Sequence, residues 1–227
     1  MRPSVLLFDV DGTLVDTGGA GRRAIEASFD RCTGRRDACA KVNFAGMTDR
    51  AIVREGLVAI GRDPSLAQID AIIAAYLDRL EAEVESSERY RVLASIELAL
   101  AAVAARERCA VGLGTGNVER GARIKLKRGG LDDRFGFGGF GCDHEDRAAL
   151  LRVGAQRGAA RLGVSAHDCR VVVIGDTPRD IAAAKALGAE CVAVATGHFS
   201  TEELAEHTPT HVFASLAEVG AIEVLLR

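Results

Sequence analysis

Three stretches of this sequence place oxygen-bearing side chains directly after apolar runs. Asp9-Val10-Asp11-Gly12-Thr13-Leu14 follows Val5-Leu6-Leu7-Phe8, Thr115-Gly116-Asn117 follows the run at 110–113, and Gly175-Asp176-Thr177-Pro178-Arg179-Asp180 follows the run at 171–174. Carboxylates gathered in one small site repel one another and lose hydration, so they need a cation. Hard oxygen ligands with room for water suit Mg²⁺, which binds one or two carboxylates together with a substrate phosphate. A turn at Gly12 can bring Asp9 and Asp11 to one pocket. One can then attack phosphorus while the other donates a proton to the leaving oxygen. Read alone, Asp11-Gly12 is also an ordinary turn that stops a strand. Agreement among the three strand ends favours chemistry.

The three stretches can meet only if their apolar runs lie side by side. A short continuous apolar run ended by a carboxylate is the pattern of a strand buried on both faces. Such runs stand at 5–8, 110–113, 171–174 and 191–195, with a weaker, glycine-interrupted one at 135–140 and a short edge strand at 211–213. Helical patterns separate the later runs, which implies βαβ units and a parallel sheet whose carboxyl edge holds the site. Residues 16–90 differ: they show no convincing strand, and Ile69, Ile72, Ile73, Tyr76, Leu77 and Leu80 form one helical stripe. The expected architecture is therefore α/β. A doubly wound parallel sheet from residues 1–15 and 91–227 carries a smaller all-helical cap domain, 16–90, with hinges at 16–21 and 85–91.

Composition removes several function classes. A net charge of -3 gives no case for nucleic acid or an anionic membrane as partner. The most apolar helical stretch, 93–105, contains Glu97 and falls short of a bilayer span, and the run before Asp9 is too short for a signal peptide. None of the six cysteines sits in a CxxC spacing, so they read as reduced structural thiols in a cytoplasmic protein. Gly112-Leu113-Gly114-Thr115-Gly116 lacks the third glycine of a dinucleotide loop, and no Gly-Lys-Ser/Thr supplies a P-loop.

The stretch from Phe8 to Leu14 resembles the first motif of the haloacid dehalogenase-like (HAD) hydrolase superfamily. Gly114 to Asn117 resembles the second motif and Gly175 to Asp180 the fourth. The helical insertion resembles the cap of the phosphoglycolate phosphatase-like branch. The resemblance implies a Rossmann-like core and a role for each position. Asp9 is the nucleophile and a Mg²⁺ ligand. Asp11 is the general acid and then base, with its carbonyl on the metal, and Asp176 is a further ligand. Thr115 with the amides of Gly116 and Asn117 holds the phosphoryl oxygens, a use of helix N-terminal amides that physics independently favours. Gly12 and Lys125 complete the implied phosphate-binding set. Asp180 either supports the metal or closes a capping box with Thr177, Pro178 standing at the first helical position.

The third motif departs from the pattern. In place of its Lys-Pro stretch stands Cys142-Asp143-His144-Glu145-Asp146-Arg147. Lys125, flanked by Ile124 and Leu126, is favoured over Arg147 as the catalytic cation, and His144 reads as a surface residue. Gly46-Met47-Thr48-Asp49-Arg50 resembles the branch's cap loop that faces the site. Thr48 or Arg50 would then touch the leaving group, unless Thr48 or Asp49 is simply a helix cap.

Asp11 argues against a dehalogenase, which lacks the second Asp, and Lys41 is the only lysine in 16–90 that a phosphonatase could use. A phosphosugar mutase with the same Asp pair is the alternative, and a non-catalytic phosphate-binding regulatory protein would be expected to lose Asp9, Asp11 or Asp176. The expected function is Mg²⁺-dependent hydrolysis of a small phosphate monoester through an aspartyl-phosphate on Asp9. The expected partner is a small phosphorylated metabolite, and the chain a monomer or homodimer.

Overall fold

The computed structural model describes residues 2–227. In chain order the elements are β1 (Ser4–Phe8), β2 (Val15–Asp16), α1 (Ala20–Thr33), α2 (Asp49–Ala59), α3 (Leu66–Glu85), β3 (Arg91–Val92) and α4 (Ile96–Ala104). They continue with β4 (Cys109–Thr115), α5 (Glu119–Lys127), β5 (Gly138–Phe140), α6 (Arg147–Arg161), β6 (Arg170–Gly175), α7 (Pro178–Leu187), β7 (Glu190–Val194), α8 (Thr201–Glu206), β8 (His211–Phe213) and α9 (Ala221–Leu225).

Six strands form one parallel sheet in the order β5-β4-β1-β6-β7-β8. The expected α/β class and doubly wound parallel sheet are borne out. Every residue of β1 is buried, because a central strand of a covered parallel sheet has no solvent face. Leu6 and Phe8 belong to one apolar cluster with α4, α5 and α9. Val5 and Leu7 point to the other, shared with α6, α7 and α8. A third cluster joins α1, α2 and α3 through Ile25, Phe29, Ile52, Leu57, Ile69, Ile72 and Tyr76. The helical stripe read from sequence forms the buried face of α3, with Leu77 half-buried at its margin.

Two local expectations change. The weak strand at 135–140 shrinks to Gly138–Phe140. Phe135 instead packs tilted against Phe8, ring centroids 6.2 Å apart, and Phe137 lies over Gly112. Side-chain packing of the two phenylalanines therefore outweighs continuation of the strand. The second change concerns β2 and β3, an antiparallel ribbon that pairs Val15 with Val92 and Asp16 with Arg91. Two residues per strand are too few to show a period-two pattern, so the ribbon carried no sequence signal. It draws together the two ends of the helical segment.

All six cysteines are free thiols, of which Cys32 and Cys142 are exposed and Cys39, Cys169 and Cys191 are buried. Burial pushes the Cys39 thiol up to about 12, which suppresses its thiolate. Maleimide labelling of the native protein, followed by mass spectrometry, should add two adducts rapidly, at Cys32 and Cys142. Rapid modification of Cys39 or Cys191 would contradict the packing described.

Candidate active site

Strand register brings the motif residues together. Phe8 is level with Leu113 of β4 and with Ile174 of β6, so Asp9, Thr115 and Asp176 all emerge at the same carboxyl edge. This is the edge of an open parallel sheet where ligands bind. The Asp9 amide donates to the Ile174 carbonyl at 2.9 Å, which extends the ladder by one bond and fixes the side chain at the rim. Above lies a cavity of about 610 Å³ lined by Asp9, Asp11, Asn117, Lys125, Arg147 and Asp176 from the sheet side. The helical segment contributes Arg22, Asp49 and Tyr76 to its wall.

Asp9, Asp176 and Asp180 are buried, and one oxygen from each lies within 4.8 Å of the others. Desolvation raises the Asp9 carboxyl to about 6, against the lowering effect of Arg147 and with further repulsion from Asp180 and Asp11. Burial, then Asp180 and Asp9, push Asp176 well above the usual carboxylate range. Thr13 donates to Asp176 at 3.2 Å. Gly12 makes the turn at φ 76°, and a Cβ there would collide with the Asp176 carboxylate. Glycine is thus needed both for the backbone angle and for the approach of the two loops.

The two cations divide the site. Arg147, first residue of α6, places Nη2 2.9 Å from Asp9 and 2.6 Å from Asp180, at ion-pair distance though not in hydrogen-bond geometry. Its Nε donates to Asp180 at 2.8 Å and its Nη1 to the Gly46 carbonyl at 3.2 Å. Lys125, favoured from sequence as the cation of the nucleophile, donates instead to Asp11 at 2.6 Å and to Asn117 Oδ1 at 2.5 Å. Arg147 holds the position next to Asp9 because α6 starts beside the end of β1, whereas Lys125 lies in the last turn of α5. Both are buried, so neither belongs to a solvated basic face.

Other residues fall as follows. The Thr115 hydroxyl is fully buried and accepts from the Asn117 amide and Nδ2. Asn117 Nδ2 also donates to Asp11 at 2.8 Å. Gly116 lines the cavity, and a Cβ on it would strike the Met47 carbonyl of the helical segment. Asp180 closes the capping box with Thr177 and simultaneously holds Arg147, so its two oxygens serve two purposes. Thr48 is the N-cap of α2, accepting from the Ala51 amide at 3.3 Å, and does not line the cavity. Arg50 also turns away, to Asp70 at 2.7 Å, because one helical step carries it off the face that Asp49 presents. His144 is exposed and accepts from the Asp146 amide.

Asp49 and Tyr76 were not singled out as site residues. Asp49 stands at the start of α2, and its carboxylate accepts from the Val118 amide at 2.8 Å. Its presence within the Gly46–Arg50 loop was the available signal, masked by the more ordinary reading of an N-terminal acid on a helix. Tyr76 belongs to the apolar stripe of α3, and nothing in that stripe distinguishes a lining side chain from a core one.

Comparison with known proteins bears on the fold. Residues 149–219 match a HAD-hydrolase-like family model. CbbY from Rhodobacter sphaeroides, solved with phosphate, superposes with a TM-score of 0.72 at 20% identity over 96% of each chain. The chain has the HAD-like fold. A predicted phosphatase from Clostridium acetobutylicum matches with TM-score 0.70 at 18% identity over 99% of both chains. A predicted phosphoglycolate phosphatase from Haemophilus somnus 129pt gives 0.68 at 15% identity over 99% of both. No curated protein sequence matches. The resemblance read from the sequence is borne out at the level of the fold, and the matched family segment contains the motif at Asp176.

Three buried carboxylates face one guanidinium, and hard oxygen donors with unbalanced charge fit Mg²⁺. Among the described residues Asp9, Asp176 and Asp180 form the cluster that would hold it.

Two tests follow from this electrostatic arrangement. Asp180→Ala leaves Arg147 buried beside Asp9 alone and removes the side-chain half of the α7 capping box, with Thr177 still the N-cap, so urea denaturation should show a loss of about 3–5 kcal/mol. The second test concerns pH. Asp9 and Asp49 are each raised to about 6, above their unfolded value of 3.8. A carboxyl with a raised folded pKa binds its proton more tightly in the fold, so its ionisation costs stability. The cost sets in above the unfolded pKa, grows towards about pH 6 and is complete beyond it. In chelator, the protein should therefore resist urea better at about pH 5.5 than at about pH 7.5, and Mg²⁺ should narrow the gap. Equal midpoints in chelator would contradict the crowding of charge.

Proposed function

We propose that this protein is a Mg²⁺-dependent phosphatase that hydrolyses a small phosphate monoester through an aspartyl-phosphate on Asp9. The observation that carries the reading is the placement of Asp9. It lies at the carboxyl end of the central strand, under a cavity, with Arg147 at 2.9 Å and Asp11 close enough to repel it. Asp9 points a carboxylate oxygen into an enclosed space, where an attacking group loses its competing water. The side chain of Asp11 is 44% exposed and held by Lys125 and Asn117, which suits a group that must exchange protons with substrate and water.

In the proposed reaction Asp9 forms a bond to phosphorus as the bond to the ester oxygen breaks, and the carboxylic proton of Asp11 passes to the departing alkoxide. Water then gives a proton to Asp11 and attacks the same phosphorus, which releases inorganic phosphate and restores Asp9. Bound Mg²⁺ would supply charge stabilisation for the transferring phosphoryl oxygens. Arg147 would add to that from the protein. The amides of Gly116 and Asn117, with the hydroxyl of Thr115 behind them, would orient the phosphoryl group.

The segment 16–90 serves in this reading as a cap that keeps water from the first step. Its support is the separate apolar cluster of α1, α2 and α3 and the short ribbon at its two ends. Among the described residues no helix is long and apolar enough to cross a membrane. The free thiols support a reducing compartment, which the cytoplasm provides.

Hydrolysis of p-nitrophenyl phosphate should require added Mg²⁺ and vanish in chelator. Asp9→Asn should lower turnover by about a thousandfold or more while leaving the fold intact by circular dichroism, as expected for loss of a nucleophile. Wild-type turnover by Asp9→Asn would refute the scheme.

A further inference from the structure

The hydrolysis scheme leaves two polar side chains of the cavity wall without a task. Tyr76 is fully buried, and no acceptor takes its O–H. The Lys125 ammonium lies close enough to interact with its oxygen, with the charges of Asp49 and Asp11 nearby. A buried hydroxyl left without an acceptor is costly, and a ligand that restored the bond would recover that cost. Asp49 is 5% exposed, and the one hydrogen bond to its carboxylate comes from the Val118 amide, so acceptor capacity remains. Both side chains line the cavity and both come from the helical segment, on the side of the cavity opposite the ends of β1 and β6, with Asp49 touching the loop after β4.

The surrounding charge decides what they can recognise. Asp11, Asp49 and Lys125 together place two carboxylates against one ammonium. A carboxylate on the leaving group would meet Asp49, and an ammonium would meet Lys125. Arg22 also lines the cavity, yet its guanidinium already donates to the Cys39 and Val42 carbonyls, pairs with Glu26 and stacks over Phe44. Arg91 is paired with Asp16. A neutral hydroxyl fits all of these neighbours, since it can donate to Asp49 and accept from Tyr76.

We propose that Asp49 and Tyr76 form a leaving-group subsite that selects phosphate esters of neutral, hydroxyl-bearing alcohols over esters of hydroxy acids and of amino alcohols. This rests on the phosphatase reading and narrows its substrate class. A site built to hydrogen-bond a hydroxyl discriminates strongly, because the wrong group leaves buried polar atoms unpaired.

The test compares kcat/KM for glycerol 3-phosphate, 3-phosphoglycerate and O-phosphoethanolamine, with p-nitrophenyl phosphate as a substrate that carries none of the three groups. Glycerol 3-phosphate should exceed each of the other two by about tenfold or more. Asp49→Asn, which keeps an acceptor for the Val118 amide, should raise kcat/KM for 3-phosphoglycerate and lower it for glycerol 3-phosphate. Tyr76→Phe should raise KM for glycerol 3-phosphate more than it lowers kcat. Should Asp49→Asn fail to fold by circular dichroism, Tyr76→Phe and Asp49→Glu carry the comparison. A preference for 3-phosphoglycerate, or ratios unchanged in folded variants, would overturn the subsite while turnover of p-nitrophenyl phosphate left the phosphatase reading standing. Failure of the wild type with Mg²⁺ on all four esters would overturn that reading, and the subsite with it.

Discussion

Removing three carboxylates from water at one point is the constraint on which the rest of this structure depends. Two unit charges at the 4.8 Å limit found among Asp9, Asp176 and Asp180 repel by about 3 kcal/mol at an effective dielectric constant of about 20. Desolvation adds to that cost. The fold answers with fixed partners. Asp180 is bonded by the Thr177 amide, the Thr177 hydroxyl and Arg147. Asp176 takes the Thr13 hydroxyl. Asp9 receives the guanidinium of Arg147 alone among the cations at this short range. The rigid central sheet, fully buried along β1, keeps these groups from relaxing apart.

Separation of the two cations follows from the same constraint. With Arg147 committed to Asp9 and Asp180, the other buried cation of the cavity is Lys125. That ammonium instead sits between Asp11 and Asn117. The two aspartates of the first motif therefore have different surroundings. Asp9 is enclosed and paired with a planar guanidinium that can also span phosphoryl oxygens, whereas Asp11 faces the cavity within a network of polar side chains. Different environments for paired carboxylates are what acid–base and nucleophilic roles require.

Much of this was legible in the sequence, and the failures have physical causes. The runs before Asp9, Thr115 and Asp176 read as buried strands because a doubly covered parallel sheet leaves no alternation to confuse with helix. The capping box of Thr177 and Asp180 was equally local and formed as expected. The choice between Lys125 and Arg147 was not local. Each lies on a helix with apolar neighbours, and only the sheet order β5-β4-β1-β6 puts the start of α6 beside Asp9. Thr48 and Arg50 attracted notice through their chemistry, yet helical phase gave the cavity to Asp49 between them. Tyr76 was invisible as a site residue because a lining side chain and a core side chain have the same period.

The bonds of Asp49 give the helical segment a second consequence. Its amide donates to the Gly116 carbonyl at 2.9 Å, and its carboxylate accepts from the Val118 amide. The loop 115–118 is thus gripped from the helical side by Asp49 and from the sheet side by Asn117, which bonds Asp11. Arg54 reinforces the same face by a two-pronged contact to Glu145, two residues before Arg147, while Gly46 accepts from Arg147 itself. Any movement that lifted α2 away would release the 115–118 loop and loosen the cation beside Asp9 together. Enclosure of the cavity and order in the loop after β4 are, in this fold, one and the same event.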